Sequence, residues 1–164
     1  MTHEELVSGV DAQIRWISEA RESLYQEARA TVDGYWAHHY KANGELNVWE
    51  RSVLGVRVKR SSGDDFYIQW FWNKWIKDKQ DRKRPLSQHI RKGKGYAYPA
   101  SVLRKHAKEW EVDLVLSLER DFAVIRQEAR ELKLAELALR RLRAVVQDAA
   151  SPDNANDTEA ETEE

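Results

Sequence analysis

The sequence contains no cysteine in its 164 residues. Disulfide bonds and thiolate metal sites are therefore excluded, and the composition suits the reducing cytosol. No apolar run approaches the roughly 20 residues that a membrane-spanning helix needs. The first residues carry acids where a signal peptide carries bases. From these absences we expect a cytoplasmic protein that makes no contact with membranes.

The signatures of common enzymes are missing as well. No glycine-rich phosphate loop occurs, and no Ser/His/Asp order indicates a nucleophile. His38 and His39 are the only adjacent histidines, and Tyr40 follows them, which is the combination used by strand-cleaving transfer nucleases. Neighbours on a helix point about 100° apart, however, and a third ligand is missing. We therefore expect no catalysis, no bound metal and no cofactor.

Charge is abundant in this sequence and is unevenly distributed. Charged residues make up 34% of the chain, yet the formal net charge is only −1. Residues 1–48 carry −4, residues 49–108 carry +11 and residues 109–164 carry −8. Because a polyanion responds to local potential, the middle third predicts a site for nucleic acid.

Both ends of the chain have the periodicity of long helices. In residues 3–42, apolar side chains recur at steps of three, four or seven, and Asn43 with Gly44 is expected to end the helix. Residues 100–148 have a similar helical pattern, with a break expected near residues 111–113. We expect the two helices to pack antiparallel.

Residues 47–98 have a different period and are predicted to form a small basic β region. Two-residue alternation within residues 53–60 and about 65–73 predicts an antiparallel hairpin with one apolar face and one cationic face. Residues 77–88 have no period and almost no apolar content, so we expect a mobile loop there.

The segment that follows, residues 89–98, is predicted to be a short strand or a strand-like return. It contains Gly93 and Gly95 on either side of Lys94. These glycines indicate either a bulge or the close approach of another backbone, such as a phosphate chain. The sequence leaves both interpretations open.

Together these elements predict an α+β fold, with long N- and C-terminal helices packed antiparallel and a small antiparallel β-hairpin or three-stranded sheet in the middle. Residues 1–148 would form a single domain. Residues 149–164 hold six acids and no base, which predicts a disordered tail that either adds solubility or competes for the basic region. If the protein forms a homodimer, the leucine-rich residues 132–146 are the expected interface, as in a coiled coil.

The candidate binding site is the stretch from Phe66 to Tyr98. Six aromatic residues lie within residues 66–75, and nine bases face only two acids within residues 74–94. Trp70 and Trp72 are predicted to lie in the core. Cations can contact phosphates, and aromatic rings can stack on bases. The candidate DNA contacts on the cationic face and in the basic run are Arg57, Lys59, Arg60, Tyr67, Phe71, Lys74, Lys77, Lys79, Arg82, Lys83, Arg84, Arg91, Lys92 and Lys94.

The same stretch resembles the MobI-type proteins of conjugative elements. The resembling pattern is a strand ending in aromatic residues, a basic gap and a glycine-containing return that leads into a helix with Trp-Glu. Its residues here are Ile90, Lys92, Gly93, Gly95, Tyr98, Trp110 and Glu111. The resemblance extends over about residues 20–140. It implies an auxiliary factor that acts at the origin of transfer, together with a relaxase that cuts the DNA.

Two other functions fit the same residues. One is a helical adaptor whose basic hairpin docks an acidic protein while its long helix dimerises. The other is a small nuclease. Gel shifts with DNA containing the origin of transfer and with random DNA would distinguish the adaptor, and incubation with plasmid and a divalent metal would reveal the nuclease.

Overall fold

A computed structural model of the protein describes residues 1–61, 63 and 65–149. The described residues form two compact units, one made of Met1–Ala20 with residues 130–149, the other of Arg21–Ala129. Of the predicted acidic tail, only Ala149 is among the described residues. In chain order the elements are α1 (His3–Glu45), β1 (Leu54–Arg60), β2 (Phe66–Lys77), β3 (Lys83–His89), α2 (Ala100–His106), a 3₁₀ turn (Glu109–Glu111) and α3 (Val112–Ala149).

The three strands form one antiparallel sheet in the order β1-β2-β3. Val56 of β1 lies opposite Trp70 of β2, and Phe71 of β2 lies opposite His89 of β3. The predicted α+β fold, with long terminal helices and a central sheet, is therefore confirmed. The sheet is the three-stranded alternative rather than a lone hairpin.

One face of the sheet, which we call the inner face, packs on the helices of the larger unit. Its apolar side chains alternate along the strands, as the period of two predicted. Trp70 is fully buried, and its ring centroid lies 5.6 Å from that of Tyr35 in α1 and 6.1 Å from that of Phe122 in α3. The hydrophobic core thus forms between β1, β2 and segments of both long helices. Inner-face residues in or against it are Leu54, Val56, Val58, Phe66, Ile68, Trp70 and Trp72.

A buried carboxylate connects the inner face to the segment after β3. Glu119 of α3 accepts a hydrogen bond of 2.7 Å from the Trp70 indole and another of 2.7 Å from the Tyr98 backbone N–H. Its oxygen Oε1 also lies 2.8 Å from the Arg126 guanidinium. Because every partner in this group is wholly or partly buried, the interaction fixes the position where the chain returns from the sheet to α2.

Side chains of α1 cover the free edge of β1. The Tyr35 hydroxyl donates to the Leu54 carbonyl at 3.0 Å, and the Trp36 indole donates to the Val56 carbonyl at 2.9 Å. Burial raises the pKa of Tyr35 well above its ordinary value, and the nearby charge of Glu111 adds to the effect. An edge satisfied in this way offers fewer open groups to another strand.

In the smaller unit, the start of α1 meets the end of α3. Val10, Ile17 and Val146 are buried there, and Arg143 lies 2.8 Å from Asp11 in an ion pair. The pair brings the first turns of one helix to the last turns of the other, as antiparallel packing requires. Val10 and Ile17 are two of the apolar side chains whose recurrence in residues 3–42 predicted this helix.

The first helix does not end before Asn43 as predicted, because α1 continues to Glu45. Asn43 instead connects the helix to the strand entry. Its side chain accepts from the Ser52 backbone N–H at 2.8 Å and donates to the Ser52 carbonyl at 3.0 Å. Gly44 is not among the described glycines with positive φ, so no left-handed residue ends the helix there.

The predicted mobile loop over residues 77–88 is wrong, since most of it is strand. β2 runs on to Lys77, and Lys83–His89 forms β3. The Asp78 carboxylate closes the turn by accepting from the backbone N–H groups of Gln80 and Arg82 at 2.9 and 3.0 Å. β3 is an exposed edge strand, which tolerates Pro85 and shows no apolar alternation.

The predicted strand over residues 89–98 is also misplaced, because regular pairing ends at His89. Only the Ile90 backbone N–H continues it, donating to the Trp70 carbonyl at 3.1 Å. The expected interruption of the C-terminal helix is present. It lies between α2 and α3, where the chain passes through the 3₁₀ turn.

Candidate nucleic-acid interface

We call the second face of the sheet the outer face. It carries the side chains that alternate along each strand with those of the inner face. The register places on it cations from all three strands and three aromatic rings from β2. Its residues are Gly55, Arg57 and Lys59 of β1, Tyr67, Gln69, Phe71, Asn73, Trp75 and Lys77 of β2, and Lys83, Pro85, Ser87 and His89 of β3.

Gly55 allows two aromatic rings to close over one end of the outer face. A Cβ atom at this position would lie 2.6 Å from the Phe71 ring and 2.9 Å from the Trp36 ring. Trp36 in turn stacks on Tyr40 with ring centroids 5.3 Å apart. Phe71 is only 8% exposed, so this predicted DNA contact supports the surface and has little ring area available for a ligand.

Arg57 lies over this aromatic support. Its guanidinium carbon is 5.0 Å from the Phe71 ring centroid, and its Nε donates to the Gln69 side chain at 3.3 Å. Among the described residues it has no carboxylate partner. The cation is therefore held in place by a ring and an amide, and its charge is not neutralised.

Two further rings on the outer face are open to solvent. Tyr67 is 40% exposed and Trp75 is 60% exposed. They lie eight residues apart on the same face of β2, which corresponds to about 27 Å along a strand. Tyr67 was predicted as a contact, but Trp75 was not. The sequence prediction ended β2 near residue 73, because the alternation of apolar and polar residues stops there: Asn73 and Lys74 are both polar, and Trp75 and Ile76 are both apolar.

Beyond the core, β2 and β3 continue as a two-stranded ribbon, residues 73–87. Ion pairs partly neutralise its turn, where Lys77 lies 2.6 Å from Asp81 and Arg82 lies 2.9 Å from Asp78. Backbone hydrogen bonds to Asp78 lower the pKa of its carboxyl group. The other four cations are exposed and have no ion pair within the described part of the chain: Lys74, Lys79, Lys83 and Arg84.

Arg60 differs from the other predicted contacts because a carboxylate neutralises it. Its guanidinium lies 2.5 Å from Glu22 of α1 and 3.8 Å from the centroid of the Tyr25 ring. The hydrogen bond from Arg60 lowers the pKa of Glu22. Strand alternation explains this position, since Arg60 falls on the inner-face side just beyond the core. Its role is to connect β1 to α1.

The three remaining candidates lie after β3. Arg91 and Lys94 are exposed and have no ion pair among the described residues, whereas the Lys92 ammonium donates to the Gly95 carbonyl. Gly93 has a φ of 87°, a left-handed conformation that favours glycine. No atom lies within 4 Å of a Cβ built on either glycine. This segment is not a strand, so the bulge interpretation does not apply.

The structure gives no support to a metal-dependent site in the portion of the chain that it describes. No group of three or more His, Cys, Asp or Glu residues that could hold a metal ion occurs there. The buried His39 hydrogen bonds to Tyr35 at 3.2 Å and to Asn43 at 2.9 Å. Among the described helices, none is both long enough and apolar enough to cross a membrane.

The chain matches the sequence model of a known protein family. The sequence model of the MobI protein family matches residues 24–140. This range contains the whole sheet, α2, about half of α1 and most of α3. No curated protein matches the chain, and no solved structure does.

Proposed function

The chain belongs to the MobI family of conjugative mobilisation proteins, and we propose that it binds DNA at the origin of transfer and assists a relaxase. In this role the protein recognises or deforms the origin, and the relaxase cuts the strand. The chain itself carries out no bond-breaking chemistry.

The observation that carries this proposal is the uncompensated positive charge around the outer face. Arg57 and Lys59 of β1 and Lys83 of β3 have no carboxylate partner in the described part of the chain. Glu22 of α1, the helix acid near the end of β1, pairs with Arg60 instead. Cations that no carboxylate of the protein neutralises remain available for phosphates.

Binding of this kind depends on salt. For six to ten phosphate contacts, affinity is expected to fall roughly 10³- to 10⁵-fold between 50 and 200 mM salt. We would measure affinity by fluorescence anisotropy for DNA containing the origin of transfer and for random DNA of equal length. The test variant is Lys59→Glu with Lys83→Glu. The control is Arg120→Glu with Arg141→Glu, which changes the charge equally at exposed positions of α3.

Weaker binding and a smaller salt dependence in the test variant alone would support the proposal. Equal weakening in both variants would show that only net charge matters. If neither DNA binds while a transfer protein is still captured, the chain is an adaptor and the proposal of DNA binding is wrong.

A separate surface supports the relaxase partnership. In the loop after α1, the adjacent Val48 and Trp49 are each 75% exposed, the highest values among the described large apolar side chains after Met1. Hydrogen bonds hold this loop against the 3₁₀ region, from Lys108 to the Trp49 carbonyl at 2.8 Å and from Trp110 to the Glu50 carbonyl at 3.1 Å. A groove of about 500 Å³ lies there, lined by Leu46, Trp49, Glu50, Lys108, Glu109 and Trp110.

Trp49→Asp tests this surface independently of DNA binding. We expect the variant to bind origin DNA like the unmodified protein but to lose capture of the relaxase and support of transfer. Trp16→Asp, at another exposed tryptophan, is the matched control. Retained capture by Trp49→Asp would place the partner site elsewhere.

The absence of catalysis is tested with supercoiled plasmid and magnesium or manganese. We expect no nicking by the purified chain. Nicking that disappears in Tyr40→Phe would instead identify this protein as the nuclease.

A further inference from the structure

The exposed rings on the outer face indicate which form of DNA the protein holds. We infer that this face binds single-stranded DNA, with bases stacked on Trp75 and Tyr67 and phosphates beside the flanking cations. The inference rests on the proposed function and specifies its ligand.

Two aromatic rings on the outer face are open to solvent. Trp75 is 60% and Tyr67 40% exposed, and both lie on the outer face of β2. Their ring faces are therefore available to stack on bases. Sheets that bind single-stranded nucleic acid use such aromatic residues to stack successive bases.

Cations lie on both sides of the exposed rings. Both rings belong to β2, the central strand, while Lys59 on β1 and Lys83 on β3 lie on the two sides of it. In register, Lys59 is directly opposite Tyr67. A strand running along β2 can therefore place its bases on the rings and its phosphates near the cations.

The middle of the outer face is held by packing. Between the two exposed rings lies Phe71, which is packed against Trp36 and covered by Arg57. Gly55 is what permits this packing. A supported surface loses little conformational freedom when a ligand binds, so Arg57 is already positioned for a phosphate of a strand that crosses this face.

A double helix fits these features less well. In a duplex the base faces are stacked on one another, and only base edges are exposed in the grooves. Trp75 and Tyr67 would then stay exposed, whereas an unpaired strand offers a flat face to each ring. The aromatic residues therefore favour the single strand, while the cations alone suit either form.

The test uses the full chain and a labelled oligonucleotide of about 12 nucleotides, within the roughly 4–16 that single stacking folds of the OB type occupy. Its ligands are the single strand, the same strand in a duplex, and poly-glutamate as an acidic peptide. The variants are Trp75→Ala and Tyr67→Ala. Trp16→Ala is the matched control at an exposed tryptophan of the smaller unit, and Tyr67→Phe keeps the ring while removing the hydroxyl.

We expect the single strand to bind more tightly than the duplex. Trp75→Ala and Tyr67→Ala should each weaken single-strand binding roughly 5- to 100-fold, the loss of one stacked base. Trp16→Ala and Tyr67→Phe should bind like the unmodified protein. Because the truncated side chains lie outside the core, circular dichroism and thermal unfolding should change little.

Other results would overturn the inference in distinguishable ways. A preference for duplex that Trp75→Ala does not affect would exclude stacking but leave the proposed function in place. Binding to poly-glutamate alone, or to no DNA at all, would overturn both the inference and the proposed function.

Discussion

Cations on the two sides of the sheet differ in whether a carboxylate neutralises them. On the inner-face side, Arg60 pairs with Glu22 and Arg126 pairs with Glu119 at 2.8 Å. On the outer face, Arg57, Lys59 and Lys83 have no carboxylate partner in the described part of the chain. Cations of the first kind hold elements together, while those of the second kind are available to a ligand. A basic residue count does not distinguish the two.

The largest effect is expected from breaking the buried pair. Glu119→Ala leaves the Arg126 guanidinium, the Trp70 indole and the Tyr98 backbone N–H without their shared acceptor. Removing one member of a buried ion pair costs about 3–5 kcal/mol. Urea unfolding measures the loss. Glu128→Ala, at an exposed position on the same helix, should stay within about 0.5 kcal/mol, and an equally small loss in Glu119→Ala would show that the inner pair is not structural.

A smaller loss of stability is expected at the outer face from Gly55→Ala. The added Cβ would lie 2.6 Å from Phe71, so the ring or the strand must shift. Overpacking of this kind costs about 1–3 kcal/mol. Gly95→Ala adds the same atom in open space and serves as the control in urea unfolding. Equal stability of the two variants would mean that the aromatic support adapts freely.

Lys59 and Arg60 are adjacent in the chain but lie on opposite faces of the sheet. They allow a cation without a carboxylate partner among the described residues to be compared directly with one that Glu22 neutralises. Lys59→Ala should reduce the slope of log affinity against log salt by about 1, as loss of one phosphate contact does. Arg60→Ala should leave the slope unchanged because Glu22 already neutralises that cation. Anisotropy titrations with DNA at several salt concentrations measure both slopes. An equal change of slope in the two variants would mean that pairing with Glu22 does not keep Arg60 from contributing to DNA binding.

The smallest expected effect is on the pH dependence of the unfolding free energy, through His106, which packs on the inner face. His106 stacks on Trp72 with ring centroids 5.4 Å apart, and burial followed by the charge of Lys105 lowers its pKa. The unfolded chain therefore takes up this proton first as pH falls, and the folded state loses stability. Unfolding free energies at about pH 7.5 and about pH 5.5 should differ less in His106→Gln. His3→Gln is the control, and an unchanged difference in His106→Gln would exclude this contribution.

Prediction succeeded where burial leaves a periodic pattern. Val56, Val58, Ile68 and Trp70 alternate along the strands, so the hairpin and its core face could be predicted. β3 could not, because an edge strand exposed on both sides carries no apolar alternation. The same limit hid Trp75, which lies in the part of β2 that β3 pairs with.

For the candidate site, charge and alternation identified Arg57, Lys59 and Tyr67 on one face. They did not show that Phe71 is covered, because Trp36 reaches it from α1, nineteen residues before Gly55 in the chain. Alternation alone would have placed Arg60 on the opposite face. Its neutralisation by Glu22 depends on a contact between residues 38 positions apart.

The amino-acid sequence by itself determined the helices, the hairpin and the concentration of positive charge in the middle third. These follow from local periodicity and composition, which act between near neighbours. Only the tertiary structure decided which cations a carboxylate neutralises and which rings stay exposed. The physical reason is that charge compensation and coverage depend on groups distant in the chain, and these meet only when strand register and helix packing are set.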